Sequence, residues 1–226
     1  MNIFKKIFGS SPEKSKDLSE KKDVLINISS VTKDILPSNA EILYESQIPE
    51  YCSIGNLIFE KKYQEAIELG QKLLKKTPFS AGVHVNLMDA YFKLRNETPL
   101  YYDKSVEHAR LAMLYGHNTG YVQERLVINL EKLGKICQAI QVCNIVLLDQ
   151  FHFSTHGCGS KEDFEKRKEK LTKKLSKATD NESNIIFSDE DISFLIKQIC
   201  IEDERLKNEK IEYEQRMKQL KKDLNF

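Results

Sequence analysis

Two stretches of the chain, residues 54–80 and 120–151, carry the same pattern of two consecutive amphipathic helices, and residues 81–118 carry a looser copy. The second helix of each copy has a small residue where the two helices of a pair approach closely. These small residues are Ala66, Ser105 and Ala139. Repeats of paired helices bury their apolar faces only by stacking on their neighbours. The sequence therefore predicts an all-α protein of stacked helical hairpins, a class that holds other molecules more often than it transforms them.

Other residues suit the same arrangement. Tyr63 opens the second helix of the first copy, Pro78 ends that copy, and Gly134 suits the tight turn between two helices. With these features, residues 50–150 resemble the tetratricopeptide repeat family, with about three repeats and an expanded middle turn at residues 96–101. The resemblance implies a short right-handed superhelix whose first helices line a concave groove for a peptide or helix. It therefore implies a non-enzymatic protein–protein interaction module, adaptor or scaffold.

Three polar residues fall in the groove that the resemblance implies. Some family members hold the free C-terminal carboxylate of a peptide between two asparagines, one arginine and two lysines. Asn56, Asn86 and Arg125 align with the asparagine and arginine positions, whereas Cys52 and Tyr121 replace the lysines. Amides donate to an extended peptide backbone and a guanidinium forks onto a carboxylate. The resemblance thus implies a peptide-binding groove at these three residues, and the missing lysines leave open whether it captures a C-terminus.

Residues 188–226 are predicted to form one long helix with a heptad pattern, and Ser188 with Asp191 caps its start. Alternating spacings of four and three residues select ten positions, of which eight are apolar or aromatic. These seam positions are Ile192, Ile196, Ile199, Asp203, Leu206, Lys210, Tyr213, Met217, Leu220 and Leu224. An apolar stripe of this length must be covered, and three possibilities stay open. In these, the helix folds back on the repeats, pairs with its twin in a homodimer, or binds another protein.

Residues 151–180 are predicted to be a loop followed by a helix that caps the last repeat, with Ser160 and Asp163 at the helix start. The loop contains three residues that could ligate a metal or react as a thiol. They are His152, His156 and Cys158. Their spacing matches no standard zinc motif, so we expect no metal and no cofactor. A metal- or thiol-dependent protein centred on this loop stays open as the alternative function.

Composition narrows the class of partner. The net charge of +1 gives no reason to expect a nucleic-acid partner, and five cysteines without paired spacing favour a cytoplasmic protein over a disulfide framework. Residues 1–22 are predicted to be a flexible or amphipathic segment, and the apolar side of residues 1–9 is compatible with weak contact to a membrane surface. Residues 23–49 are predicted to be a helical extension, with a capping box at Ser38 and Glu41.

Overall fold

The described part of the chain forms eight α-helices and no β-strand, which confirms the all-α prediction. The structure is a computed structural model, and it describes residues 36–38, 41–42, 48–153, 159–175 and 185–223. All of these residues belong to the unit 36–226. The predictions for residues 1–22, and most of the predicted extension at residues 23–49, lie outside the described residues.

The first seven helices pack in their order along the chain, and the eighth returns to the fourth. In chain order they are α1 (Tyr51–Phe59), α2 (Tyr63–Leu74), α3 (Ala81–Lys93), α4 (Leu100–Leu114), α5 (Tyr121–Lys132), α6 (Ile136–Val146), α7 (Lys161–Leu175) and α8 (Asp189–Asp223). The first six pack as three consecutive hairpins, and each hairpin packs on the next. Helix α7 packs against α6, and α8 packs against α4. None of these helices contains an apolar stretch long enough to cross a membrane. The right-handed superhelical arrangement of the hairpins stays a prediction.

The turns of the first and third hairpins have the same backbone geometry. Gly134 takes the left-handed conformation that its position predicts, with φ of 76°, and Lys61 takes the matching place with φ of 63°. The residue after each closes the turn in the same way, because Lys62 N donates to Leu57 O over 2.8 Å and Lys135 N donates to Leu130 O over 2.9 Å. A bond of this kind is a usual way to satisfy one of the last carbonyls of a helix.

A buried polar bridge joins the second and third hairpins at Ser105, the residue that replaces alanine in the middle copy. Its hydroxyl donates to the Met88 carbonyl over 3.0 Å and accepts from Asn129 Nδ2 over 2.9 Å. The equivalent Ala66 and Ala139 are fully buried and have no polar atom in the side chain. The serine is therefore more than a small-for-small exchange, since it ties α4 to both α3 and α5.

Helix α7 lies against the last hairpin and buries Phe164 and Leu171 there. It begins at the predicted capping box, in which Ser160 N donates to Asp163 Oδ2 over 3.0 Å and Asp163 N donates to Ser160 Oγ over 3.2 Å. The bonds that Ser160 donates to the carboxylate lower the pKa of Asp163. The lysine- and arginine-rich side of α7 is partly engaged with Glu131 of α5, which lies within salt-bridge distance of two of its basic side chains.

The long helix α8 begins as predicted, because Ser188 N donates to Asp191 Oδ2 over 3.0 Å and Asp191 N donates to Ser188 Oγ over 3.1 Å. Its covered face starts slightly off the predicted seam. Leu195 is fully buried, whereas Ile192 and Ile196 are less completely covered. The reason is geometric: this part of α8 packs on a globular surface and keeps the period of a straight helix, which drifts from a strict heptad.

Candidate functional site

A short hydrogen bond joins helices α3 and α5. The hydroxyl of Tyr121, at the start of α5, donates to Asp89 Oδ1 on α3 over 2.5 Å. Asn86 lies one turn before Asp89, and Arg125 lies one turn after Tyr121, so helical spacing places both on the side of the bonded pair. Arg125 Nη2 also donates to the Tyr121 hydroxyl over 3.2 Å. The structure thus brings two of the three sequence-predicted groove residues, Asn86 and Arg125, to the same side.

An aromatic ring lies beneath the arginine. The guanidinium carbon of Arg125 is 3.9 Å from the centroid of the Phe92 ring, and that of Arg95 is 4.0 Å from the same centroid. A guanidinium at this distance from an aromatic face is attracted by the ring quadrupole. We refer to Asn86, Asp89, Phe92, Tyr121 and Arg125 as the α3–α5 cluster. All five residues are half-buried, so the cluster reaches the protein surface.

Burial and neighbouring groups shift the pKa values of two residues of the cluster. Burial raises the pKa of Asp89, and the hydrogen bond from Tyr121 and the positive charges of Arg125 and Lys93 act against that rise. The pKa of Tyr121 is raised by burial and by its bond to Asp89. Tyr121 therefore keeps its proton as the donor in the pair. The Tyr121 hydroxyl is thus committed to a carboxylate of the same chain.

Two donors in the cluster have no acceptor among the described residues. Asn86 Nδ2 and Arg125 Nε are both buried atoms without a hydrogen-bond partner in the part of the chain that the structure describes. A buried donor that is left unsatisfied costs about 1–3 kcal/mol, so native proteins keep few of them. Their occurrence together, on two neighbouring helices and beside a half-buried aromatic ring, is the unusual feature of this surface. A molecule that offers oxygen acceptors here would relieve that cost, provided that the two side chains turn toward it.

Asn56, the third predicted groove residue, is exposed on α1, and the contacts that join α3 to α5 do not involve it. It lies five residues before Lys61, as Asn129 lies five residues before Gly134. The matching turns therefore make Asn56 the equivalent of Asn129, which faces Ser105 of the preceding hairpin. A role for Asn56 in binding stays a prediction.

Reasoning from the sequence missed Asp89 and Phe92, and it treated Tyr121 only as a lost lysine. The spacing of Asn86 and Asp89 on one helix face could have drawn attention to the carboxylate. The stacking of Arg125 on Phe92 had no such signal, because the two residues are 33 positions apart (125 − 92) and meet only through the rotation of α3 against α5.

The histidine and cysteine loop of the alternative function is described only at its start. His152 is exposed, and its carbonyl accepts from Asn118 Nδ2 over 2.9 Å. His156 and Cys158 lie outside the described residues. Within the ranges that the structure describes, no three histidine, cysteine or acidic residues are grouped as metal ligands. Burial raises the pKa of Cys143 to about 11, which keeps this nearby thiol protonated and unreactive.

Comparison with known proteins adds no family to these observations. No protein-family model, no curated protein and no solved structure matches this chain. The function is therefore argued from the α3–α5 cluster itself, since a fold class alone does not specify a function.

Proposed function

We propose that this protein is a non-enzymatic interaction module that binds a segment of a partner protein along α1, α3 and α5, with Asn86 and Arg125 as its principal donors. The observation that carries the proposal is the pair of buried N–H groups without acceptors on these two residues. The proposal includes the tetratricopeptide-like superhelix and a cytoplasmic setting. It is supported by the consecutive packing of the three hairpins, because in such an array the first helices of successive hairpins lie side by side.

The chemistry of the cluster suits a polypeptide better than a small anion. An asparagine amide pairs with a peptide group through one donor and one acceptor. Arg125 stacks on Phe92 and bonds Tyr121, and its Nε is buried, so the side chain must turn partly out of these contacts for Nε to donate to a partner.

Two features favour an internal peptide segment over a free C-terminus. The carboxylate of Asp89 lies within the cluster and repels a second carboxylate placed beside it. Tyr121, which aligns with a lysine of the C-terminal clamp, already donates its proton to Asp89 over 2.5 Å. We therefore expect the ligand to present backbone carbonyl groups, and its terminal carboxylate to contribute little.

The test begins with selection of random phage-displayed peptides on the full-length protein. Affinities of the selected peptides are then measured by fluorescence anisotropy for Asn86→Ala and Arg125→Ala. We expect each substitution to weaken binding by at least about tenfold, the effect of losing one or two charge-assisted or amide hydrogen bonds. Arg125→Lys should also weaken binding, because lysine keeps the charge but not the planar group that stacks on Phe92.

The matched control is Asn144→Ala, which removes an exposed asparagine amide from α6. Binding should be unchanged in this variant. Thermal melts separate a binding role from a structural one, because removing an unpaired buried donor should leave the melting temperature of Asn86→Ala unchanged or raise it. Equal peptide affinity of the wild type and Asn86→Ala would refute the proposal, and so would a selection that enriches no peptide.

A further inference from the structure

The outer part of α8 presents an apolar face that no described residue covers. Relative exposure is 37% for Leu206, 62% for Tyr213 and 46% for Leu220. Met217 lies between the last two on the same stripe and is half-buried. These four residues are spaced seven, four and three positions apart, as at the seam of a two-stranded coiled coil. Single exposed apolar residues need no explanation, but a regular row along one helix face does.

The exposed face continues one that is already buried. Near its start, α8 lays Leu195, Gln198 and Ile199 against the body, and Arg110 of α4 pairs with Asp191 over 3.3 Å. Backbone of the body also meets the helix closely, because a Cβ added at Gly116 would lie only 3.1 Å from Gln198 Cβ. The base of α8 is therefore fixed, and the same side of the helix loses its cover beyond about residue 203.

We propose that residues 203–223 of α8 pair in antiparallel orientation with the same segment of a second copy of this chain. With Leu206, Tyr213 and Leu220 at d positions and Asp203, Lys210 and Met217 at a positions, an antiparallel pair faces a with d. Leu206 then packs on Met217 of the second copy, Lys210 packs on Tyr213, and Asp203 lies opposite Leu220 at the ends of the seam. The ammonium of Lys210 reaches over the tyrosine ring, a favourable cation–π arrangement.

The flanking charges complement each other in this orientation. Antiparallel pairing places g opposite g and e opposite e. In the register just given, Glu209 meets Arg216 of the second copy, and Lys207 meets Glu214 of the second copy. Symmetry repeats each pair, so four opposite-charge pairs flank the seam. The four side chains are exposed in the described chain, and Glu209 also accepts from Arg205 of its own helix.

Parallel pairing of the same two helices would oppose like charges. Asp203 would face Asp203 and Lys210 would face Lys210 at a positions in the centre of the seam. At the flanks, Glu209 would meet Glu214 of the second copy, and Arg216 would meet Lys221. Like-charge contacts cost free energy, most of all within a desolvated seam. The pattern of charge therefore selects the antiparallel dimer.

The length of the overlap sets the strength of association. Residues 203–220 span about 26 Å of helix, or about two and a half heptads, which is short for an isolated coiled coil. Here the helix is already ordered by its docked base, so pairing costs less conformational entropy than it would for a free peptide. We expect a monomer–dimer equilibrium in the micromolar range.

Sedimentation velocity of the full-length protein over a concentration series tests the proposal. Wild type should dimerise, and Glu214→Lys should raise the dimer dissociation constant about tenfold, because the substitution replaces two ion pairs with two contacts between like charges at Lys207. Lys207→Glu added to Glu214→Lys should restore the wild-type constant. The matched control, Glu212→Lys, changes the same charge at an exposed position off the seam and should dimerise like the wild type.

The direction in which Glu214→Lys changes the dissociation constant distinguishes an antiparallel dimer from a parallel one. In a parallel dimer, Glu214→Lys would pair with Glu209 of the second copy and tighten association, which would overturn the proposal. A wild type that stays monomeric, or a dimer that Glu214→Lys leaves unchanged, would also overturn it. Helix fraying in Glu214→Lys cannot imitate the expected result, because Lys207→Glu lies seven residues away and would not repair it.

Discussion

Lys61 holds a backbone conformation that its side chain disfavours. Its φ of 63° matches the 76° of Gly134 in the equivalent turn. The left-handed region costs a residue with a Cβ about 1 kcal/mol relative to glycine. The Lys61 side chain is exposed. We therefore predict that Lys61→Gly raises the free energy of unfolding by about 0.5–1 kcal/mol, measured by urea denaturation.

Gly134 provides the reverse experiment. A Cβ added there would have no atom of the described residues within 4 Å, so crowding by them does not contribute. Gly134→Ala should destabilise by about 1 kcal/mol through the backbone alone. If Lys61→Gly also lowered the free energy of unfolding, the left-handed backbone would not be what makes lysine less favourable than glycine at this turn position.

Helices α2 and α3 meet at Gly70, where the absence of a side chain sets how closely they pack. A Cβ at this position would lie 2.7 Å from Cδ2 and 2.9 Å from Cγ of Leu87, which is itself fully buried. Gly70→Ala should therefore lower the free energy of unfolding by about 1–2 kcal/mol, in spite of the higher helix propensity of alanine. Chemical denaturation of the variant measures this loss.

Gly55 in α1 is the matched control for that substitution. It is exposed, and a Cβ added there has nothing within 4 Å. Gly55→Ala should stabilise the protein by up to about 1 kcal/mol, because only helix propensity changes. If the two glycine-to-alanine substitutions change the free energy of unfolding in opposite directions, packing and not helix propensity decides the effect at Gly70.

The elements of the fold could be predicted from local chemistry, whereas the contacts between them could not. Gly134 and the two capping boxes at residues 160–163 and 188–191 mark helix ends through bonds within three residues, so they are legible in the sequence. The Tyr121–Asp89 and Asn129–Ser105 bonds join residues on different helices. These bonds depend on the exact rotation of each helix about its axis. Hydrophobic periodicity shows which face of a helix is buried, but it does not give that rotation.

The same limit applies to α8. Its heptad pattern predicted one long helix, and the capping box placed its start correctly. The pattern did not indicate that the body covers only the first part of the stripe, because an apolar face does not specify its partner. The place where α8 leaves the body depends on the hydrogen bonds between Gln141 and the backbone of Ile186 and Phe187. No local signal in the sequence reveals these bonds.

At the scale of the whole molecule, buried histidines make stability depend on pH. His84 and His108 share a bond of 2.9 Å between their Nδ1 atoms, and His84 Nε2 lies 3.1 Å from the Pro78 carbonyl. The carbonyl can only accept, so His84 carries its proton on Nε2 and accepts from His108 Nδ1–H. His84 must be neutral for this arrangement, because a proton on its Nδ1 would leave two donors facing each other.

Burial lowers the pKa of His84 to about 4, and burial and the neighbouring His84 lower that of His108 well below its ordinary value. Burial also lowers the pKa of His117 to about 4. Between pH 6.5 and 4 the unfolded chain therefore binds more protons than the folded one, so stability is full above pH 6.5 and falls as the pH falls. We predict that the free energy of unfolding is lower at pH 4.5 than at pH 7 by several kcal/mol, with roughly 2 kcal/mol from each of His84 and His117 and a further loss of the same sign from His108.

Urea denaturation at pH 7, 6, 5 and 4.5 measures this dependence, and His84→Gln/His108→Gln assigns it. Glutamine does not titrate, so the double variant should lose part of the slope even if it is less stable than the wild type at pH 7. Asp89 opposes the trend, because its raised pKa favours protonation in the folded state as the pH falls. A wild type whose unfolding free energy is the same at pH 7 and pH 4.5 would mean that the three histidines are charged, and hydrated, in the folded protein. The buried pair between α3 and α4 could then not hold the middle hairpin together in the way described.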